Sequence, residues 1–115
     1  MSHLSILPTL YTRLDLLEAS LRDEGFQVSI TAVMERFDQE PMVVDLLASL
    51  GSGPPLGWVL GTDQCLHMVG DLQRISQHHG LDGCLQRVAR RYALREALAA
   101  TEQFPTTVQV MIEPV

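Results

Sequence analysis

The 115-residue chain predicts an α+β domain built on a mainly antiparallel sheet with its helices packed on one face. Two apolar runs alternate at period two on either side of a four-residue turn, a connection far too short for a parallel crossover. A second pair of short runs flanks Gly61, Thr62, Asp63 and Gln64, and two segments with leucines at helical spacing lie ahead of and behind the strands. The order is strand, helix, four-strand meander, helices, strand, and such segregation of helices from strands is the α+β pattern. One domain over residues 1–115 is expected, long enough to remove roughly two-thirds of the extended chain's surface from water.

Ser5 to Leu10 reads as a first strand, and Pro8 inside it demands an edge position or a bulge because proline cannot donate to a ladder. From Thr12 the pattern turns helical. Thr12 with Asp15 is an N-cap signal, Leu10, Leu14, Leu17 and Leu21 recur at helical spacing, and Gly25 supplies the stop. Phe26, Val28, Ile30, Ala32 and Met34 alternate with Gln27, Ser29 and Thr31, so these five should face the core. After the turn at Asp38 to Pro41, Met42, Val44, Leu46, Ala48 and Leu50 share one parity and complete a hairpin. Val43 and Leu47 are left on the other face, which leaves an apolar surface in need of a cover, either a second copy joined through the sheet or another protein.

Gly51, Ser52, Gly53, Pro54 and Pro55 form a loop, followed by strands over Leu56–Leu60 and Cys65–Val69. Asp71 caps a short helical turn carrying Leu72 and Ile75, which His78, His79 and Gly80 break. Asp82 then caps the longest helix, Gly83 to Gln103, with Leu85, Val88, Ala89, Tyr92 and Leu98 inward. Pro105 ends it, and Val108, Val110 and Ile112 alternate as a last strand.

Composition narrows the setting. Apolar residues are 46% and charged residues 19%, and no run approaches the roughly 20 apolar residues that span a bilayer. The N-terminal residues lack the basic start and apolar stretch of a secretory signal, which makes the cytoplasm the expected location. Cys65 and Cys84 stand apart without a CxxC partner, a pattern that suits reduced thiols. Fourteen acids against eight arginines, with no lysine, give a net charge of −6, which disfavours general affinity for nucleic acid.

No grouping spells out a catalytic residue, a metal site or a cofactor. His78 and His79 are adjacent and cannot share a helical face, and no HExxH occurs. Cys65 and His67 project to the same face of a strand but make only two ligands. The glycine loop lacks a following GK[ST], and Pro55 removes a donor that a phosphate cradle needs. Cys84 is the best candidate for a reactive thiol, because the first turn of a helix stabilises a thiolate and His79 is near in sequence. Its ordinary reading is a small buried hydrophobe.

The feature that points to a partner is the arginine stripe. Arg87, Arg91 and Arg95 are spaced by four along one helix face, with Arg90 beside them. Glu96 is the only acid between Asp82 and Glu102, so the four cations need an offset. That offset is either internal, from acids such as Asp15 or Glu18 on the first helix, or an acidic surface on another protein, for which the forked guanidinium is well suited.

Four segments together, MSHLS at residues 1–5, LDLLEASL at 14–21, VGDLQ at 69–73 and LQRVARRYA at 85–93, resemble the hypothetical chloroplast open-reading-frame thirty-five family, a domain of unknown function from cyanobacteria and plastids. The resemblance covers nearly the whole chain and implies a protein of oxygenic phototrophs, in cytoplasm or stroma, with a housekeeping or photosynthesis-linked role. It brings no catalytic residues, and Cys84 stands where that family tends to carry an aromatic residue. The favoured expectation is a non-catalytic interaction or regulatory module that docks an acidic protein through the arginine helix. The alternative is an enzyme or a small-ligand or metal binder whose pocket is assembled from residues distant in sequence.

Overall fold

The computed structural model describes residues 4–35 and 40–102, which form one five-stranded antiparallel sheet in the order β1-β5-β4-β3-β2 with helices against one face. The strands are β1 (Ser5–Pro8), β2 (Gln27–Met34), β3 (Met42–Ser49), β4 (Leu56–Leu60) and β5 (Leu66–Gly70); the helices are α1 (Leu14–Asp23), α2 (Leu72–Gln77) and α3 (Leu81–Glu102). The α+β class and the meander are as the pattern predicts. The expected last strand at Val108 to Ile112, and part of the turn before Met42, lie outside the described residues.

Pro8 sits where its chemistry requires. It is the last residue of the edge strand β1, opposite His67. Beyond it the chain stays pinned to the sheet: the Thr9 hydroxyl donates to the Leu66 carbonyl, the Tyr11 amide donates to Thr9 Oγ1 at 3.1 Å, and the Leu66 amide donates to the Tyr11 carbonyl at 2.7 Å.

The cap of α1 differs from the expectation. Arg13, not Thr12, is the N-cap residue, and no side chain of its own segment caps the helix. The Thr12 and Arg13 amides donate instead to the Tyr92 hydroxyl of α3, at 2.9 and 3.0 Å. A short cap from within the segment was the only partner local spacing could offer; α3 brings a better placed one from 80 residues away. Leu10 precedes the helix and is 91% exposed, while Leu17 and Leu21 are fully buried. Gly25, at φ +92°, ends the helix as expected: its amide bonds the Arg22 carbonyl and the Phe26 amide reaches back to Leu21, the paired bonds of a Schellman turn.

The helices cover one face. Leu17 and Leu21 of α1, Ile75 of α2 and Leu81, Val88 and Tyr92 of α3 pack on Phe26, Leu46, Ala48, Leu56, Trp58 and Leu66. Asp71 caps α2 as expected, accepting from the Gln73 and Arg74 amides at 3.1 and 3.3 Å. Asp82 does not cap α3, which begins one residue earlier at Leu81 after Gly80 turns at φ +83°; it lies within the first turn, where its charge suits the helix dipole. Ala89 and Leu98, expected inward, are exposed: Ala89 lines an open cleft, and Leu98 lies beyond Tyr92, the last buried residue of α3 among the described residues.

The β2–β3 hairpin departs most from the alternation. Phe26 and Leu46 belong to the helix-side core with Val28 against it, but Met34 and Val44 join Val69, Met42, Leu47 and Val59 in a second cluster. A Cβ on Gly57 would point at Val44 and Met34, whereas its neighbours Leu56 and Trp58 face the helices, so the second cluster lies on the far face. The changeover falls at Thr31, whose φ of 50° is left-handed, between the pairs Ile30 with Leu46 and Ala32 with Val44. A left-handed residue breaks the strict alternation of an extended strand. Ile30, expected in the core, is 44% exposed at this break, and Leu47 packs against the cluster of Met34, Val44 and Val69.

Candidate functional site

The arginine stripe meets the end of α1. Arg87 Nε donates to Glu24 Oε1 at 2.7 Å, Arg91 Nε donates to Glu24 Oε2 at 2.5 Å, and Arg95 donates to Asp23. The Glu24 side chain is only 8% exposed between the two guanidinium groups, and their hydrogen bonds hold its carboxyl below the usual range. Asp15 and Glu18, the expected partners, pair with Arg13 and Arg22 within their own segment. The Schellman turn explains the choice, because it presents Asp23 and Glu24 at the helix end that α3 crosses. Three arginines here meet two carboxylates, and Arg90, exposed, has no ion pair among the described residues.

Cys84 is half-buried beside this network. Arg87 Nη2 lies 3.0 Å from its sulfur, and the Cys84 amide is already bonded to the Gly80 carbonyl at 3.1 Å. His79 is exposed, and no hydrogen bond joins it to Cys84 among the described residues. On the far face, His67 Nε2 sits 3.1 Å from both Asp63 carboxylate oxygens, and the Cys65 amide donates to the same Asp63 at 3.1 Å. The backbone bond from Cys65, followed by the His67 contact, holds the Asp63 carboxyl below its ordinary value. Cys65 and His67 are thus organised around Asp63. No group of three metal-ligating side chains occurs among the described residues.

The site that no sequence signal announced lies between α3 and the β1 edge of the helix-side face. There α3 leans over β4 and leaves a cleft of about 430 Å³. Its floor is Trp58 and Met68, one wall is Pro8 to Tyr11, and the other is the α3 face from Leu85 through Val88 and Tyr92 to Glu96. The pinned Thr9–Tyr11 backbone fixes the first wall, and the Tyr92 hydroxyl fixes the second by holding the start of α1. Tyr11 and Tyr92 meet edge to face, with ring centroids 4.6 Å apart and planes at 63°. Burial, and secondarily Tyr92, pushes the Tyr11 phenol above its ordinary value. The Trp58 ring is 1% exposed, and its indole N–H has no hydrogen-bond partner among the described residues. Leu10, the most exposed large apolar side chain among the described residues, stands on the lip.

Among the described residues, Glu96 is the single charged side chain of the lining. Its Oε2 lies 3.4 Å from the Tyr92 hydroxyl, a long contact that leaves acceptor capacity unused. A cleft of this size, apolar and aromatic with a few polar groups at one end, has the make-up of a small-molecule site. Its residues come from positions 8–11, 58, 68 and 85–96, so no local motif could mark it. The one trace in the sequence is that both tyrosines and the only tryptophan of an aromatic-poor chain converge there.

Comparison with family models, with curated proteins and with solved structures finds no match to this chain.

Proposed function

We propose that the chain is a small binding module, and that the cleft between α3 and the β1 edge holds its ligand. The cleft's volume and lining carry this reading: about 430 Å³ walled by Tyr11, Trp58, Tyr92 and aliphatic side chains, open at the lip formed by Leu10. Trp58, the sole tryptophan, reports on the site directly. A fragment present at ten times its Kd adds about 1.4 kcal/mol to stability and raises the melting temperature accordingly. The test is a fragment screen read by melting temperature and by Trp58 emission, repeated on Ala89→Leu, which narrows the α3 wall. Fragments that stabilise the parent and move its emission, but act on the variant weakly, support the cleft. Fragments that act equally on both, or none that act at all, refute it.

A second reading rests on Arg90. Exposed and unpaired among the described residues, beside three arginines that meet only two carboxylates, it supports docking of an acidic protein surface. Arg90→Gln should then keep its stability and lose a partner that co-purifies from extract of the native cell. Retention of every partner removes this reading. A setting in oxygenic phototrophs rests on the resemblance of the four quoted segments alone.

A further inference from the structure

We infer that the ligand of this cleft carries a protonated amine on an aromatic or aliphatic body, with the cation held at Glu96 and the body on Tyr11, Trp58 and Tyr92. This rests on the binding reading of the cleft. The charge pattern is the argument. Among the described residues, the only ionised side chain on the lining is a carboxylate. Of the α3 arginines, Arg87 and Arg91 bind Glu24 and Arg95 binds Asp23, while Arg90 makes no ion pair with Glu96 among the described residues. Arg13, whose charge also senses Glu96, donates from its Nε and Nη2 to Asp15. Among the described residues Glu96 therefore lines the cleft without a salt bridge, with a long contact from Tyr92 and only a through-space attraction to Arg13.

The aromatic lining suits the apolar body: Tyr11 is partly open to the cleft, and Trp58 and Tyr92 lie nearly buried beneath it. An anionic ligand would meet a carboxylate on the lining and a chain of net charge −6 around it. Size sets the body. A cavity of about 150 Å³ accepts benzene, so 430 Å³ takes a ring with a short chain or two fused rings.

Three probes share one body and differ only in charge: 4-phenylbutylamine, 4-phenylbutanol and 4-phenylbutyrate. None of them absorbs where Trp58 is excited selectively, so its emission gives each affinity, with the melting temperature as a second readout. The amine should bind about tenfold tighter than the alcohol, and the alcohol tighter than the acid. Glu96→Gln should remove the amine's advantage and leave the alcohol's affinity unchanged; Glu96 is exposed, so the variant should fold, as its circular dichroism will confirm. If the alcohol or the acid binds as tightly as the amine, or if Glu96→Gln leaves their ratio intact, the charge assignment is wrong while the cleft stands. If none of the three binds, the cleft reading falls with it.

Discussion

Replacing Gly57 with alanine tests whether the far-face cluster is as closely packed as the structure shows. A Cβ built there lies 2.9 Å from Val44 Cγ1, 3.1 Å from Met34 Sδ and 3.3 Å from Val44 Cβ. Carbon atoms rest at about 3.5–4.0 Å, so the new methyl intrudes by roughly 0.6 Å or more on a neighbour that cannot easily yield. Val44 is fully buried and stiff at χ1, and its strand is held by β2. Overpacking of this kind costs about 1–3 kcal/mol, which lowers the melting temperature of a domain near this size by roughly 4–20 °C. Urea unfolding, followed by Trp58 emission and far-ultraviolet circular dichroism, measures it. Gly70→Ala is the control, because its Cβ meets the terminal Cδ1 of Ile75 at 2.9 Å and that methyl can rotate away. Val44→Ala removes the Cγ1 atom, so the double variant should lose less than the sum of the singles. A loss below about 0.5 kcal/mol for Gly57→Ala, or strict additivity with Val44→Ala, would refute the packing argument.

Tyr92→Phe leaves the Thr12 and Arg13 amides without their acceptor and should cost about 1–3 kcal/mol, measured by urea unfolding; a neutral change would show that water replaces the hydroxyl. Leu46→Ala should cost about 2–5 kcal/mol and Ile30→Ala well under half as much, because the first is fully buried and the second is 44% exposed. Glu24 has a folded-state pKa below its ordinary 4.5, so its contribution is present above that pH and is lost as the pH falls through the folded value. The urea midpoint of Glu24→Gln should therefore be lower at neutral pH and fall less steeply below about pH 4.5; parallel curves for parent and variant would deny Glu24 this role. Arg91→Gln with Arg95→Gln should lower the midpoint, and by less in high salt, since both ion pairs are partly open to solvent.

Local patterns determined much of this protein. The hairpin register follows from two alternating runs and a short turn, Pro8 forces an edge, Gly25 and Asp71 end and begin helices through bonds reaching only a few residues, and Leu17 and Leu21 declare a buried face. Each is a short-range effect that one segment carries alone. Tertiary structure decided the rest. Thr31 turns left-handed within a perfect apolar alternation, and beyond it Met34, with Val44 of the paired strand, lies on the far face against Gly57 and packs with Val69. Tyr92 replaces Thr12 as the cap of α1, and Asp23 and Glu24 take the arginines that spacing alone could have given to Asp15 or Glu18. The cleft is the clearest case. Tyr11, Trp58, Tyr92 and Glu96 come from separate stretches of the chain and have no mutual spacing to read, and they meet only because α3 crosses α1 and so stands away from β1.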